Sequence, residues 1–266
     1  MALRGKLAVM ARVFITGSSD GLGLMAAQLL VETGHTVVLH ARNRQRAEDT
    51  KRKLAGAEAV VTGDLASLAE TQALADQVNR LGRCDAVIHN AGVGLHERLV
   101  RTAEGVPHVF AINVLAPYVL TALVERPKRL VYLSSGMHRG ADSSLADLDW
   151  TKRRWQGSAA YGESKLCDIL LAFAVARRWS DVFSNAVNPG WVATKMGGAG
   201  APDSPDEGRR TQAWLAVSDD AEARVSGKYF RKQRPQAHDP AADDRARQDK
   251  LLELCQRFSG IALGGA

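Results

Sequence analysis

Short apolar, β-branched runs alternate along this chain with longer stretches in which apolar residues recur every three or four positions. The runs are Val13-Phe14-Ile15-Thr16, Thr36-Val37-Val38-Leu39, Ala59-Val60-Val61, Ala86-Val87-Ile88, Leu130-Val131-Tyr132-Leu133 and Val182 to Val187. Each is too short for a helix and sits beside a Gly, Asn, Asp or Ser that ends it, which predicts a strand. Helices are predicted between them, near 22–33, 43–55, 67–80, 103–124 and 159–180, with a last short strand near Gly227–Phe230. No Pro/Gly/Ser linker interrupts residues 1–190. The expected fold is α/β: a doubly wound parallel sheet of about seven strands, helices on both faces, right-handed crossovers. One dinucleotide-binding and catalytic domain over 1–266 is expected.

Two stretches break the rhythm. Residues 136–158 are polar and turn-rich, with Trp150 and Trp155; residues 191–208 are rich in Gly, Pro and Ala. Both follow strands, so both belong at the carboxyl edge, where open α/β sheets bind ligands. They are expected to be substrate-side loops, at 136–158 and 191–212, rather than tolerated surface insertions. Residues 231–266 read as a C-terminal extension.

Composition narrows the function classes. Of 266 residues 45% are hydrophobic and 24% charged, with a formal net charge of +6. The basic residues are interleaved with acids, and the densest cluster, Lys152-Arg153-Arg154, reads as a solvated loop, so no nucleic-acid partner is expected. Cys84, Cys167 and Cys255 lie far apart with no CxxC or His/Cys spacing, which argues against disulfides and a metal site and for a reducing, cytoplasmic home. Arg4, Lys6 and Arg12 interrupt any apolar signal core. The uncharged stretch 105–124 contains Pro107, His108, Asn113 and Pro117, which suits a buried helix better than a membrane span.

Chemistry appears first at the end of the first strand, in Thr16-Gly17-Ser18-Ser19-Asp20-Gly21-Leu22-Gly23. Glycines there allow a tight turn, backbone approach to a pyrophosphate and close helix–strand packing. The helix that follows offers N–H groups and the positive end of its dipole to phosphates. No Lys-Ser/Thr pair follows the last glycine, so this is not a P-loop. Further on, Tyr161 and Lys165 lie four apart, on one face of a helix. A phenol with a pKa near ~10 donates its proton slowly at neutral pH. An adjacent ammonium stabilises the phenolate and makes it a usable acid and base. Alone, such a pair is usually a surface contact; the glycine motif and Ser135 point the other way.

Taken together, the motifs resemble the short-chain dehydrogenase/reductase family, single-domain branch. Thr-Gly-x-x-x-Gly-x-Gly looks like its cofactor signature. Asp64-Leu65 resembles its adenine-contacting position, Asn90-Ala91-Gly92 its Asn-Ala-Gly turn, and Tyr161 to Lys165 its Tyr-x-x-x-Lys, preceded by Ser134-Ser135. Pro189-Gly190 follows the sixth strand, with Val192 and Thr194 beyond it, and the resemblance spans about residues 12–230. It implies that Ser135 bonds the substrate oxygen, that Lys165 also holds the nicotinamide ribose, and that Asn113 holds a water for proton relay. Ser134, the neighbouring strand position, is expected to point away from the cleft. The 26 positions from Ser135 to Tyr161 are about twice the short family spacing and look like the retinol-dehydrogenase and WW-domain-oxidoreductase-like subgroup. Those relatives often carry an N-terminal anchor; none is expected here, because the first strand follows so soon after the chain's start. A short Asn113-to-Ser135 stretch trims a helix many relatives use to dimerise, so a homo-oligomer is possible rather than required.

The second strand ends Leu39-His40-Ala41-Arg42-Asn43-Arg44, with no acid until Glu48. Two free ribose hydroxyls are usually read by an acid there, whereas a 2′-phosphate favours a base. Arg42 therefore favours NADP(H), with NAD(H) possible; Asp20, where many NADP users carry a basic residue, speaks against it. The expected activity is interconversion of a small-molecule carbonyl and a primary or secondary alcohol by hydride transfer, with Tyr161 as acid/base. A catalytically silent dinucleotide-sensing protein and, less favoured by the glycine spacing, an epimerase or dehydratase are the alternatives.

Overall fold

The computed structural model describes residues 10–94 and 98–265. The readings placed on Arg4 and Lys6, and on the chain's first nine residues generally, lie outside the described residues. Seven strands run parallel: β1 (Arg12–Ile15), β2 (Thr36–Ala41), β3 (Ala59–Thr62), β4 (Ala86–His89), β5 (Arg129–Leu133), β6 (Phe183–Val187) and β7 (Tyr229–Arg231). An eighth, β8 (Arg234–Pro235), pairs antiparallel with β7, giving the order β3-β2-β1-β4-β5-β6-β7-β8. The sequence reading of about seven strands missed β8. It is two residues long and contains a proline, a residue confined to sheet edges, and periodicity cannot register so short a segment.

Alternation along the strands divides the core in two. Phe14, Val38, Val87, Leu130 and Tyr132 face one layer, made by α3 (Leu68–Arg80), α5 (Ala116–Leu123), α6 (Gly157–Arg178) and α8 (Arg245–Ser259). Val13, Ile15, Val37, Leu39, Ile88 and Val131 face the other, against α1 (Gly21–Glu32) and α7 (Pro205–Val217). Strands covered on both faces read as continuous apolar runs, which is what made them legible. α6 is the longest helix, 22 residues, and is buried without interruption from Ala160 to Val175. No helix among the described residues is long and apolar enough to cross a membrane.

Two boundaries differ from expectation. The helix predicted at 103–124 begins at His108: the short α4 (His108–Phe110) passes through a π-helical turn at Ala111–Leu115 into α5, while Arg101 and Pro107 form a β-bridge. Pro117 has no N–H to offer the Asn113 carbonyl four residues earlier, so a regular ladder cannot run through this point. The loop expected over 191–212 gives way at Pro205 to α7, capped by Ser204, whose side chain accepts from Asp206 N. The extension 231–266 is mostly helix and packs on the core through Leu251, Leu252 and Cys255.

Candidate active site

The carboxyl ends of the parallel strands converge where the order reverses, between β1 and β4, and there the glycine loop sits. Gly17 takes φ +62°, and a Cβ on it would lie 2.8 Å from Ala91 Cα, so no other residue fits. Asn90 Nδ2 donates to Thr16 O at 2.9 Å and Gly17 O at 3.1 Å, and Ala91 N donates to Thr16 Oγ1 at 3.0 Å. His40, from inside β2, locks the same loop: Nδ1 accepts the Gly17 N–H at 2.9 Å, which leaves Nε2 to donate to Gly63 O at 2.8 Å. Burial holds the His40 imidazole below its ordinary pKa, against the opposing pull of Gly63 O and Asp64, and the neutral ring is what the Gly17 bond requires. α1 starts at Gly21 on the cavity wall, bringing its unsatisfied N–H groups there.

The outer end of the cavity is cationic. Arg42 is exposed on its wall. Asn43 caps α2 (Arg44–Lys53) by accepting from Arg46 N at 3.0 Å. The Arg46 side chain then reaches back to Ser19 Oγ at 3.1 Å and Asp20 Oδ2 at 2.8 Å. Lys195 Nζ also meets Asp20 Oδ2, at 3.0 Å. Burial disfavours the Asp20 charge, but Lys195 and Arg46 overcome it and hold the carboxyl below its ordinary pKa. An acid already countered by two cations opposes a neighbouring phosphate far less than a lone one.

Tyr161 and Lys165 sit one turn apart on α6, with Lys165 Nζ 5.6 Å from the centre of the Tyr161 ring. Gly94, at φ +131°, covers that ring, and a Cβ there would come within 2.7 Å of it. The Tyr161 hydroxyl contacts Met196 Sδ at 4.0 Å. Lys165 Nζ donates to Leu133 O at 2.7 Å and to Asp168 Oδ2 at 2.9 Å, which leaves one of its three N–H groups for a ligand. Asn113 lies in the π-turn: Oδ1 accepts Val93 N at 2.9 Å, and Nδ2 donates to Val93 O and Ser164 Oγ, both at 2.9 Å. Its side chain is spent on holding the segment after β4 against α6.

Ser134 and Ser135 divide differently than expected. Ser134 borders the cavity rather than turning away from it, but its buried hydroxyl donates to Lys165 O at 2.7 Å. Ser135 is half-buried and caps the short turn Gly136–His138, its Oγ accepting Met137 N at 3.3 Å, so its own hydroxyl proton remains available.

One cavity of about 590 Å³ joins these groups. Of the residues expected from the sequence, Gly17, Ser19, Asp20, Gly21, Leu22, Arg42, Asp64, Leu65, Asn90, Ala91, Gly92, Tyr161, Lys165, Pro189 and Thr194 line it. Gly23, Asn113, Ser135, Gly190 and Val192 do not. A Cβ on Gly23 would meet Asn90 Nδ2 at 2.4 Å, and one on Gly190 would meet Asp203 Oδ2 at 2.7 Å, so both serve packing. Val192 is buried and bridges to Asp203. Sequence reasoning missed His40, Arg46, His108, Lys195 and Met196, which also line the cavity. Arg46 alone carried a signal: it falls four residues past Arg42, in the first turn of the helix predicted near 43–55.

The 136–158 segment is anchored rather than loose. Arg153, assigned to a solvated run, bonds both carboxylate oxygens of buried Glu163 at 2.7 and 2.5 Å and stacks 3.8 Å over Trp150. Trp150 packs edge-on against Trp155 at 5.0 Å. The C-terminal extension buttresses the same segment through Arg247 to Ser143 O and Lys250 to Ser144 O. Trp191 is 58% exposed, its Nε1 bonded to Gly197 O.

The family model described as short chain dehydrogenase matches residues 11–204. An uncharacterized oxidoreductase of Emericella nidulans is 46% identical over 96% of this chain and 100% of its own length. Retinol dehydrogenase 14 of Mus musculus is 30% identical over 94% of this chain and 86% of its own. Among solved structures, an uncharacterized protein of Mycobacterium paratuberculosis superposes with a TM-score of 0.83 at 26% identity, covering 96% of this chain and 95% of that one. The chain belongs to the short-chain dehydrogenase family and is an oxidoreductase of that family.

Proposed function

We propose that this protein interconverts a carbonyl and a primary or secondary alcohol with NADP(H), Tyr161 exchanging the proton. The observation that carries the reading is continuity: a single cavity runs from Arg42 and Arg46, past the glycine loop, to Tyr161 and Lys165. The residues fit a dinucleotide. Gly92 lies on the cavity wall, where a Cβ would stand 3.6 Å from both Lys165 Nζ and Asn113 Oδ1, in the space a ribose would take. Arg42, Arg46 and Ser19 would hold the 2′-phosphate, Asp64 and Leu65 the adenine end, and the free N–H of Lys165 the nicotinamide ribose. When bound, the dinucleotide supplies or accepts the hydride at the carbonyl carbon.

The protein's own groups handle the proton. In reduction the Tyr161 O–H bond breaks and its proton passes to the carbonyl oxygen, while the Ser135 hydroxyl donates a hydrogen bond to that oxygen as its charge grows. The Lys165 ammonium favours the phenolate left behind. In oxidation the phenolate removes the same proton. Met196, beside the Tyr161 hydroxyl, gives the substrate side an apolar group.

Cofactor choice is the first test. Each charge-assisted bond from Arg42 to a 2′-phosphate is worth roughly 1.5–3 kcal/mol against water, so NADPH should bind at least about tenfold tighter than NADH. Arg42→Asp should invert that order by placing a carboxylate against the phosphate. Dissociation constants of both dinucleotides for both proteins, at one ionic strength, decide it. Tighter NADH binding by the unmutated protein would refute the NADP(H) assignment and leave the fold untouched.

A further inference from the structure

The Lys165 ammonium has a partner that the proton-transfer pair alone does not call for. Asp168, one turn further along α6, meets Lys165 Nζ at 2.9 Å, and both side chains are almost fully buried, at 3% and 5% exposure. A buried ion pair is costly to build, and removing one partner leaves an uncompensated buried charge. We propose that Asp168 is a positioning residue for the proton-transfer pair: its carboxylate fixes Lys165 and masks part of the ammonium's charge from Tyr161, setting the pH at which the phenol ionises.

The arrangement around the pair supports this. Leu133 O and the Asp168 carboxylate take two of the three Lys165 N–H groups from opposite elements, β5 and α6, so the third has a set direction. The other titratable neighbours of Asp168 are Cys167 on α6 and Tyr132 on β5, with His89 of β4 stacked 4.7 Å from Tyr132. Burial raises the Cys167 thiol and the Tyr132 phenol and lowers the His89 imidazole to about 3, so all three stay neutral near physiological pH. Asp168 is thus the one carboxylate in contact with Lys165 among the described residues. Burial opposes the ammonium, yet Asp168 overrides it and Lys165 is held above its ordinary pKa; burial pushes Asp168 itself up, against the pull of Lys165.

Removing the carboxylate's charge unmasks the ammonium that faces the Tyr161 ring, which eases ionisation of the phenol. A single charge in a partly screened interior is worth on the order of one pH unit to a neighbouring acid. The inference rests on the proposed acid/base role of Tyr161, but its decisive test needs no substrate.

That test is a near-ultraviolet titration of phenolate formation in the full chain, free and with NADP⁺ added, taking each protein minus its Tyr161→Phe counterpart. Burial raises the pKa of the three other tyrosines, Tyr118 to about 12, so their signal comes late and cancels in the difference. Asp168→Asn, nearly isosteric and still able to accept from Lys165, should move the Tyr161 midpoint about one unit to lower pH. Asp168→Ser, also neutral, should move it the same way, and Asp168→Glu should leave it within about 0.3 unit. The kcat–pH profile of carbonyl reduction should shift with it. A midpoint unmoved or raised in the neutral variants, or lowered equally in Asp168→Glu, overturns the proposal. Tyr161→Phe turnover separately decides the acid/base role on which it rests.

Discussion

Tyr161→Phe should lose at least ~100-fold in turnover while its dissociation constant for NADPH stays within about threefold of the unmutated value. The asymmetry follows from where the hydroxyl points. The ring is fixed by Gly94 and by its place on α6, so phenylalanine should occupy the same space. The hydroxyl meets the Met196 sulfur, not a group of the glycine loop. What is lost is one transferable proton, needed only as the carbonyl oxygen becomes an alcohol. Lys165→Ala should instead damage turnover and dinucleotide affinity together, since the same ammonium favours the phenolate and keeps an N–H for the ribose. Steady-state kinetics with calorimetric NADPH binding separate the two patterns. Near-normal turnover in Tyr161→Phe would remove the proposed mechanism.

Ser135→Ala should cost about 3 kcal/mol in the chemical step, roughly 100-fold, as removal of a donor aimed at a developing oxyanion does elsewhere. Ser134→Ala should leave the chemical step almost unchanged and lower stability, because its hydroxyl is committed to the Lys165 carbonyl inside the fold. A donor already bonded to protein has no proton left for the substrate. Ser135 keeps its own, since its oxygen only accepts from Met137 N. Single-turnover rates report the first effect and denaturant midpoints the second. The opposite ranking would transfer the role to Ser134, which borders the cavity more closely.

The parts legible in the sequence are those whose chemistry needs a fixed local spacing. The glycine loop is readable because a tight turn, a helix start and a close strand must occur within eight residues. Tyr161 and Lys165 are readable because one helical turn places them together. His40 was invisible because it contributes from the middle of a buried strand, where it looks like any strand residue, and acts on Gly17 23 positions away. Arg153 was misread for the same reason: its run looks solvated, and only tertiary structure brings Glu163 to it. Asp168 was passed over within the very helix that was read, since a carboxylate three residues past a lysine is ordinary on an exposed face. Only burial gives that pair its meaning. α7 and α8 escaped because their apolar positions are sparse and interrupted by charge.

The central claim, hydride exchange between a nicotinamide and a carbonyl with Tyr161 handling the proton, is tested most directly by isotope transfer. The protein would be mixed with NADPH deuterated at the transferable position and a panel of apolar ketones and aldehydes, and the products examined by mass spectrometry. We predict deuterium on the carbinol carbon of at least one alcohol product, formed at least ~100-fold more slowly by Tyr161→Phe with the label still on that carbon. A protein that binds NADPH tightly yet transfers no deuterium to any member of the panel would contradict the claim and favour a dinucleotide-sensing protein instead.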